Sequence, residues 1–150
     1  MKTTFAAERL IPAPAHVIYN CIADYRRHHR PGGFLPPQFS DLEIHSGGVG
    51  AGTDVSWVLD AGGRQRTIRA TVSEPEPGRT LVETSPGLET TFHVEPAPGG
   101  SVVSFSTVLD EPGIGGLLTR LFAARLILPI YQDELARLEA YTTRHASKAA

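Results

Sequence analysis

The chain has 150 residues, of which 41% are apolar and 20% charged, with a net charge of −2. This length is typical of one domain, and charges of both signs scattered along the chain exclude the electrostatic pattern of a protein that binds nucleic acid or an anionic membrane. Cys21 is the only cysteine, which excludes an intramolecular disulfide and a cysteine-based zinc site. We expect a cytoplasmic protein without signal peptide, membrane insertion, metal or cofactor, and both monomer and homodimer stay open.

The N-terminal part of the chain predicts a strand, short helices and a loop. Residues 3–11 alternate loosely and end at Pro12. Apolar residues then recur at helical spacing from Val17 to Ile22, which predicts a short helix with proline near its start. Residues 25–40 are rich in proline and glycine, so they favour a second short helical segment followed by a loop.

A hairpin is predicted in the middle of the chain, where Gly62-Gly63 separates two alternating runs. The cross-strand pairs on one face of this hairpin are then Leu59 with Arg66, Trp57 with Ile68, and Val55 with Ala70. Apart from Arg66 this face is apolar and the other face is polar, so a slip of one residue would reverse the two faces.

Further turn signals, spaced about 8–12 residues apart, predict an antiparallel meander with about seven strands in total. After Pro112-Gly113 the apolar period changes from 2 to 3.6, which predicts a long C-terminal helix across the sheet. Pro129 lies inside this helix, where its missing N–H predicts a kink or break. We therefore expect one α+β domain over residues 1–145 and a frayed tail over residues 146–150.

Three segments carry a resemblance to a known fold. They are residues 11–25, which run from Ile11-Pro12 to Asp24-Tyr25, residues 72–81, and residues 99–103. Together with the order of elements they resemble the helix-grip fold of the START-like or Bet v 1-like (SRPBCC) superfamily, including its bacterial polyketide cyclase/dehydrase-like group. The resemblance implies a curved antiparallel sheet around a long C-terminal helix, with two short helices after the first strand. Members include ligand carriers, cyclases, dehydratases and proteins that act through partners, so the fold does not select a function.

The inward face of the predicted sheet and the apolar stripe of the long helix define a candidate ligand pocket. Its predicted lining is Val55, Trp57, Leu59, Ile68, Ala70, Phe92, Val94, Val103, Phe105, Thr107, Leu121 and Leu128. A concave apolar space suits a lipid, an isoprenoid or quinone, or an aromatic polyketide. The same periodicity also fits a core that its own side chains fill.

Two residues are candidates for chemistry in that pocket. Arg66 lies on the apolar face, where it would bind a carboxylate or stabilise an enolate, although a position close to the turn also allows it to reach solvent. Tyr131 on the long helix would donate a hydrogen bond to a ligand carbonyl. His28 and His29 are expected to be solvated. Hydrolase, metalloprotease and phosphate-loop motifs do not occur in the sequence.

The sequence favours a carrier or sensor of a small hydrophobic molecule. One alternative is a cofactor-free polyketide cyclase or dehydratase that uses Arg66 and Tyr131. A second alternative is a partner-binding module that acts through its outer surface.

Overall fold

The computed structural model describes the backbone of residues 2–30, 32–110 and 113–149, and the side chains of residues 2–30, 32–110 and 124–144. Within these ranges the chain forms seven strands and two α-helices. The strands are β1 (Lys2–Ile11), β2 (Phe39–Ser46), β3 (Asp54–Ala61), β4 (Arg64–Glu76), β5 (Thr80–Ser85), β6 (Leu88–Ala97) and β7 (Gly100–Asp110). The helices are α1 (Ala15–Ala23) and α2 (Gly113–Ala149).

All seven strands belong to one antiparallel sheet with the order β1-β7-β6-β5-β4-β3-β2. Strands β2 to β7 therefore form the predicted meander, and β1 completes the sheet by pairing with β7, so that Phe5 lies opposite Thr107. Helix α2 packs along β1 and also approaches β7 and α1. The expected α+β architecture is confirmed.

The central hairpin has the predicted register. Leu59 pairs with Arg66, and Trp57 pairs with Ile68. The φ angles of Gly62 and Gly63 are 62° and 77°, as a tight turn with two left-handed residues requires. Residues without a Cβ adopt this conformation at little cost, so the two glycines determine both the turn and the face on which each side chain lies.

Helix α1 is followed by turns rather than by a long second helix. The expected second helix is one turn, in which the N–H of His28 donates to the carbonyl of Asp24 at 3.2 Å. The glycine-rich loop that precedes β3 holds this region in place. The N–H of Tyr25 donates to the carbonyl of Gly48 and the N–H of Gly50 donates to the carbonyl of Ala23, both at 2.9 Å.

Helix α2 continues through Pro129, so the helix does not break there, while a kink at this position stays a prediction. A proline in a helix interior costs about 3 kcal/mol when nothing compensates. Here Ile130, Leu135 and Leu138 are buried on the same helix, and their packing offsets that cost. The side chains of residues 145–150 lie outside the described residues, and fraying of residues 146–150 stays a prediction.

The packed core lies at one end of the sheet. There α1 packs on β6, and α2 packs on β1 and β7. The side chains of Ile18, Ile22, Phe105, Leu135 and Leu138 are at most 1% exposed. The other end of the sheet is not filled in this way, which leaves space between the sheet and α2.

Candidate functional site

A cavity of about 760 Å³ lies between the sheet and α2. Among the described residues its wall is mostly aromatic and aliphatic. Examples from the sheet, the loop after α1 and α2 are Phe39, Trp57, Phe92, Leu35, Leu126 and Ile127. Pockets that hold small organic molecules have volumes of about 300–1,000 Å³, so this space is large enough for a molecule of that kind.

The structure places half of the sequence-predicted site residues on the cavity wall. These are Trp57, Leu59, Arg66, Ile68, Phe92, Thr107 and Tyr131. Arg66 is exposed at the edge of the cavity, beside the tip of the β3–β4 hairpin. Its stem therefore borders the apolar space while its charged end reaches water, as long cationic side chains commonly do.

Six of the other predicted lining residues do not lie on the wall. Those in the packed core are Val55, Ala70, Val94, Val103 and Phe105. They are on the inward face as alternation requires, but this end of the sheet is closed by α1 and α2. The cavity-facing stripe of α2 is Ile127, Ile130, Tyr131 and Glu134, so Leu128 lies beside it. The side chain of Leu121 lies outside the described residues.

Two carboxyl groups, which the sequence did not single out, lie on the wall of this cavity and interact electrostatically. Glu83 on β5 and Glu134 on α2 both line it. Tyr25 donates a hydrogen bond from its hydroxyl to Oε2 of Glu83 at 2.5 Å. Glu134 is only 5% exposed, and no described residue forms a hydrogen bond with its carboxyl group.

Both carboxyl groups hold their protons more tightly than usual. Removal from bulk water raises the pKa of Glu83 to about 7, and the hydrogen bond from Tyr25 opposes this shift. Burial raises the pKa of Glu134 well above its usual value, and the nearby Glu83 and Asp133 raise it further. In a low-dielectric space two neighbouring carboxylates do not both ionise readily. Glu83 is therefore the group that ionises first.

A short chain of hydroxyl groups lies on the same cavity wall. Tyr131 and Thr107 are joined by a hydrogen bond of 2.7 Å, and Thr107 and Thr90 by one of 2.9 Å. Thr90 lies opposite Glu83 in the β5–β6 pairing, so this chain extends towards the carboxyl group. Burial raises the pKa of Tyr131 to about 12. The phenol therefore stays protonated at neutral pH and serves as a hydrogen-bond donor rather than as a base.

His29 lines the same cavity. The sequence predicted a solvated side chain at this position, but the structure buries it. It is 7% exposed, and its Nε2 donates to the carbonyl of Ile22 at 2.8 Å. Its ring stacks on Tyr25 with 4.2 Å between centroids. Burial lowers its pKa to about 4, so the imidazole is neutral at physiological pH. Phe34 contacts the same ring in an edge-to-face arrangement, with 4.8 Å between centroids.

The two missed carboxyl groups do leave a trace in the sequence. Glu83 lies two positions after the buried Leu81 and therefore on the same face of β5. Glu134 lies three positions after Tyr131 and therefore on the same side of α2. The charged neighbours of Glu134 on α2 favour the polar side of the helix for it, but the structure buries its side chain. In both cases a charged residue occupies a position whose spacing predicts an inward-facing side chain.

Metal binding and membrane spanning find no support in the described part of the chain. Its histidine, cysteine, aspartate and glutamate side chains form no group of three that could hold a metal ion. Its helices also lack a stretch that is both long and apolar enough to cross a membrane.

A family described as polyketide cyclase / dehydrase and lipid transport matches residues 2–143. The chain belongs to this family. The match covers the sheet, the cavity and most of α2, and it confirms the resemblance that the sequence segments indicated. A search of curated proteins gives no match.

Solved structures of similar proteins confirm the helix-grip architecture. The solution structure of the KanY protein (ms6282) has a TM-score of 0.81 at 27% identity and covers 95% of this chain and 99% of that one. TTHA0849 from Thermus thermophilus has a TM-score of 0.73 at 22% identity, over 96% and 99% of the two chains. The di-domain ARO/CYC StfQ from the steffimycin biosynthetic pathway has a TM-score of 0.79 at 15% identity over 98% of this chain. The chain covers 53% of StfQ, about half of its length.

Proposed function

We propose that the protein binds a small hydrophobic molecule, such as a lipid, an isoprenoid or quinone, or an aromatic polyketide, in the cavity between the sheet and α2. The observation that carries this proposal is the cavity itself, with a volume of about 760 Å³ and a largely apolar wall. Protein interiors are close-packed, and voids of this size are rare in cores that serve stability alone. An apolar wall with a few polar groups is the usual form of a small-molecule site.

Ligand binding can be followed through Trp57, which is the only tryptophan of the chain and lines the cavity. We expect quinones or aromatic polyketides to change its fluorescence, and lipids to be retained in native mass spectrometry. The variant Ala61→Phe adds a ring to the cavity wall and should weaken binding at least tenfold. Ala97→Phe adds the same ring at the β6–β7 turn, away from the cavity, and should bind as the unmodified protein does. Equal affinity of both variants would contradict the proposal.

A second candidate function is that of a cofactor-free polyketide cyclase or dehydratase. The family description and the ARO/CYC name of StfQ support it. So do the polar groups on the cavity wall, because a pure carrier needs few of them. In the form that the sequence suggested, Arg66 and Tyr131 would hold or polarise the substrate. Unchanged turnover of a polyketide-like substrate by Arg66→Ala would remove Arg66 from that mechanism.

The partner-binding alternative has less support. Among the described residues, only Leu10 and Val49 are large apolar side chains that are strongly exposed. A docking face normally has a larger contiguous apolar patch. We therefore retain the cavity as the functional feature.

A further inference from the structure

The cavity contains an arrangement of acids that simple ligand retention does not require. An isolated polar group in an apolar cavity destabilises the folded state unless it has a partner. Glu134 is 5% exposed and lines the cavity, and no described residue hydrogen-bonds its carboxyl group. A ligand with a hydrogen-bond acceptor would supply the missing partner. This group is therefore positioned to donate its proton to an oxygen atom of the ligand.

Glu83 is held differently, although it lines the same cavity. Its Oε2 accepts the hydrogen bond of Tyr25, while its Oε1 accepts none from the described residues. The bond from Tyr25 stabilises the ionised form and fixes the orientation of the carboxylate. Tyr25 thus orients one carboxylate oxygen of Glu83, and the other oxygen can contact a molecule bound in the cavity.

Two carboxyl groups that ionise in different pH ranges within one apolar site commonly divide into an acid and a base. Glu134 has the stronger tendency to stay protonated because it is buried and lies near Glu83 and Asp133. Glu83 ionises near neutral pH, which is the range in which a general base is most effective. His29 is neutral in this range, and Tyr131 keeps its proton.

We propose that Glu83 and Glu134 form a proton-transfer site that enolises a carbonyl compound bound in the cavity. The proposal rests on the proposed binding function and adds a reaction to it. Glu83 is the base and Glu134 is the acid, so both are catalytic residues. Tyr25 is a positioning residue that acts through Glu83. Arg66 at the edge of the cavity is not required.

The step is balanced without a cofactor. An oxygen of the Glu83 carboxylate removes a proton from the carbon next to the carbonyl group, and the electron pair of that C–H bond forms a C=C bond. The carbonyl π electrons move to oxygen, which takes the proton of Glu134. Glu83 ends protonated and Glu134 ionised, and exchange with water restores both. Such an enol can attack a second carbonyl or be reprotonated at carbon, so the step serves cyclisation and isomerisation alike.

The substrate class follows from the wall around the acids. Trp57, Phe92 and Tyr131 present aromatic rings to the same space, and flat ring systems pack well on such surfaces. We therefore infer a mostly apolar cyclic or polycyclic ketone with at least one C–H bond next to its carbonyl group.

The test uses 2-tetralone, a bicyclic ketone, in D2O. Loss of its α-proton signals in the ¹H NMR spectrum measures enolisation, and quenching of Trp57 fluorescence measures binding. We expect exchange by the unmodified protein at least 100-fold above that by Glu83→Gln, since a positioned base contributes about 10²–10⁴-fold. Glu134→Leu should lose at least tenfold. Glu83→Asp should keep part of the activity. Glu76→Gln, a substitution at an exposed position of β4, should exchange at the unmodified rate.

A second variant separates chemistry from folding. Tyr25→Phe removes the hydrogen bond that favours ionised Glu83. It should move the midpoint of the pH–rate profile upward from about 7, which a purely structural role of Tyr25 would not do. The groups that face Glu83 are Tyr25, Glu134 and Tyr131. Burial raises the pKa of Glu134 and the pKa of Tyr131, so both hold their protons more tightly than usual.

The outcomes distinguish this inference from the binding function. Binding of 2-tetralone with exchange equal to that of Glu83→Gln, or an unshifted profile in Tyr25→Phe, would overturn the proton-transfer site and leave the binding function intact. Binding of the hydrocarbon tetralin or of lipids without binding of the ketone would also overturn it. If none of these molecules binds, the binding function fails, and the proton-transfer site fails with it.

Discussion

At the scale of single residues, the hairpin register predicts that Arg66 faces the cavity, but its side chain is exposed to solvent. It lies on the inward face opposite Leu59, yet it is exposed and forms no ion pair with a described residue. A charge at the edge of an apolar cavity acts on the polar end of a ligand whose body is inside. We expect such an arginine to affect the choice of ligand more than the stability of the fold.

We therefore predict that the protein prefers decanoate to its methyl ester, and that Arg66→Ala removes this preference. An exposed ion pair contributes about 0.2–1 kcal/mol, so the expected ratio of the two affinities is about 1.4- to fivefold. Titrations followed by Trp57 fluorescence would measure it. The control is Arg69→Ala, because Arg69 lies on the outer face and pairs with Asp54 at 2.8 Å. A preference that survives in Arg66→Ala would show that Arg66 does not contact the ligand.

At the scale of elements, the β3–β4 hairpin and α2 meet at the edge of the cavity. Gly62 and Gly63 both have positive φ angles, so alanine at either position costs about 1 kcal/mol in backbone strain. A Cβ at Gly62 would also lie 3.1 Å from Cδ1 of Leu126, whereas a Cβ at Gly63 would have nothing within 4 Å. The two substitutions thus differ in a single contact.

Gly62→Ala should consequently destabilise the protein more than Gly63→Ala, by up to about 1 kcal/mol, because side chains that are forced too close shift at a cost. Urea unfolding would measure both. In the background of Leu126→Ala the two variants should become equal. A difference that persists there would mean that the hairpin tip does not press on α2.

The same hairpin shows how far the sequence determines the fold. Its loop length and alternation were sufficient for the register, because a two-residue turn and a side-chain period of 2 leave one pairing that separates apolar from polar residues. The sequence likewise predicted the apolar stripe of α2, but it did not predict how the helix is rotated about its axis relative to the sheet. A shift of one position distinguishes Leu128 from Ile127, and only the packing of α2 on β1 decides which of them faces the cavity.

The acid pair could not be predicted in the same way. Tyr25, Glu83 and Glu134 come from a loop, a strand and a helix that are far apart in the sequence, and only the closed fold brings them to one space. Glutamate side chains are also rarely buried in proteins. Local patterns therefore assigned Glu134 to solvent. The apolar period of a strand predicts which side chains face inward, but it does not predict whether they fill a core or line a cavity. For this reason the sequence placed Val55 and Phe105 on the cavity wall.

At the scale of the whole molecule, two buried groups make folding depend on pH in opposite directions. The pKa of Glu83 is about 7 in the folded protein and 4.5 ordinarily. Its contribution to stability is complete below pH 4.5 and is lost as pH rises to about 7. The pKa of His29 is about 4 when folded and 6.5 ordinarily. Its contribution is complete above pH 6.5 and is lost as pH falls to about 4.

Each shift corresponds to about 3 kcal/mol, so the two slopes nearly cancel between pH 4.5 and 6.5 and become visible only when one group is removed. Relative to the unmodified protein, Glu83→Gln should gain about 3 kcal/mol in the free energy of unfolding as pH rises from 4.5 to 7. His29→Gln should gain a similar amount as pH falls from 6.5 to 4. Urea unfolding across this range would measure both, with Glu76→Gln as the exposed control. Curves parallel to that of the unmodified protein would mean that Glu83 and His29 have ordinary pKa values in the folded state. The cavity would then be wetter than its apolar wall suggests, and Glu83 would lack the neutral-range ionisation that a base in this site needs.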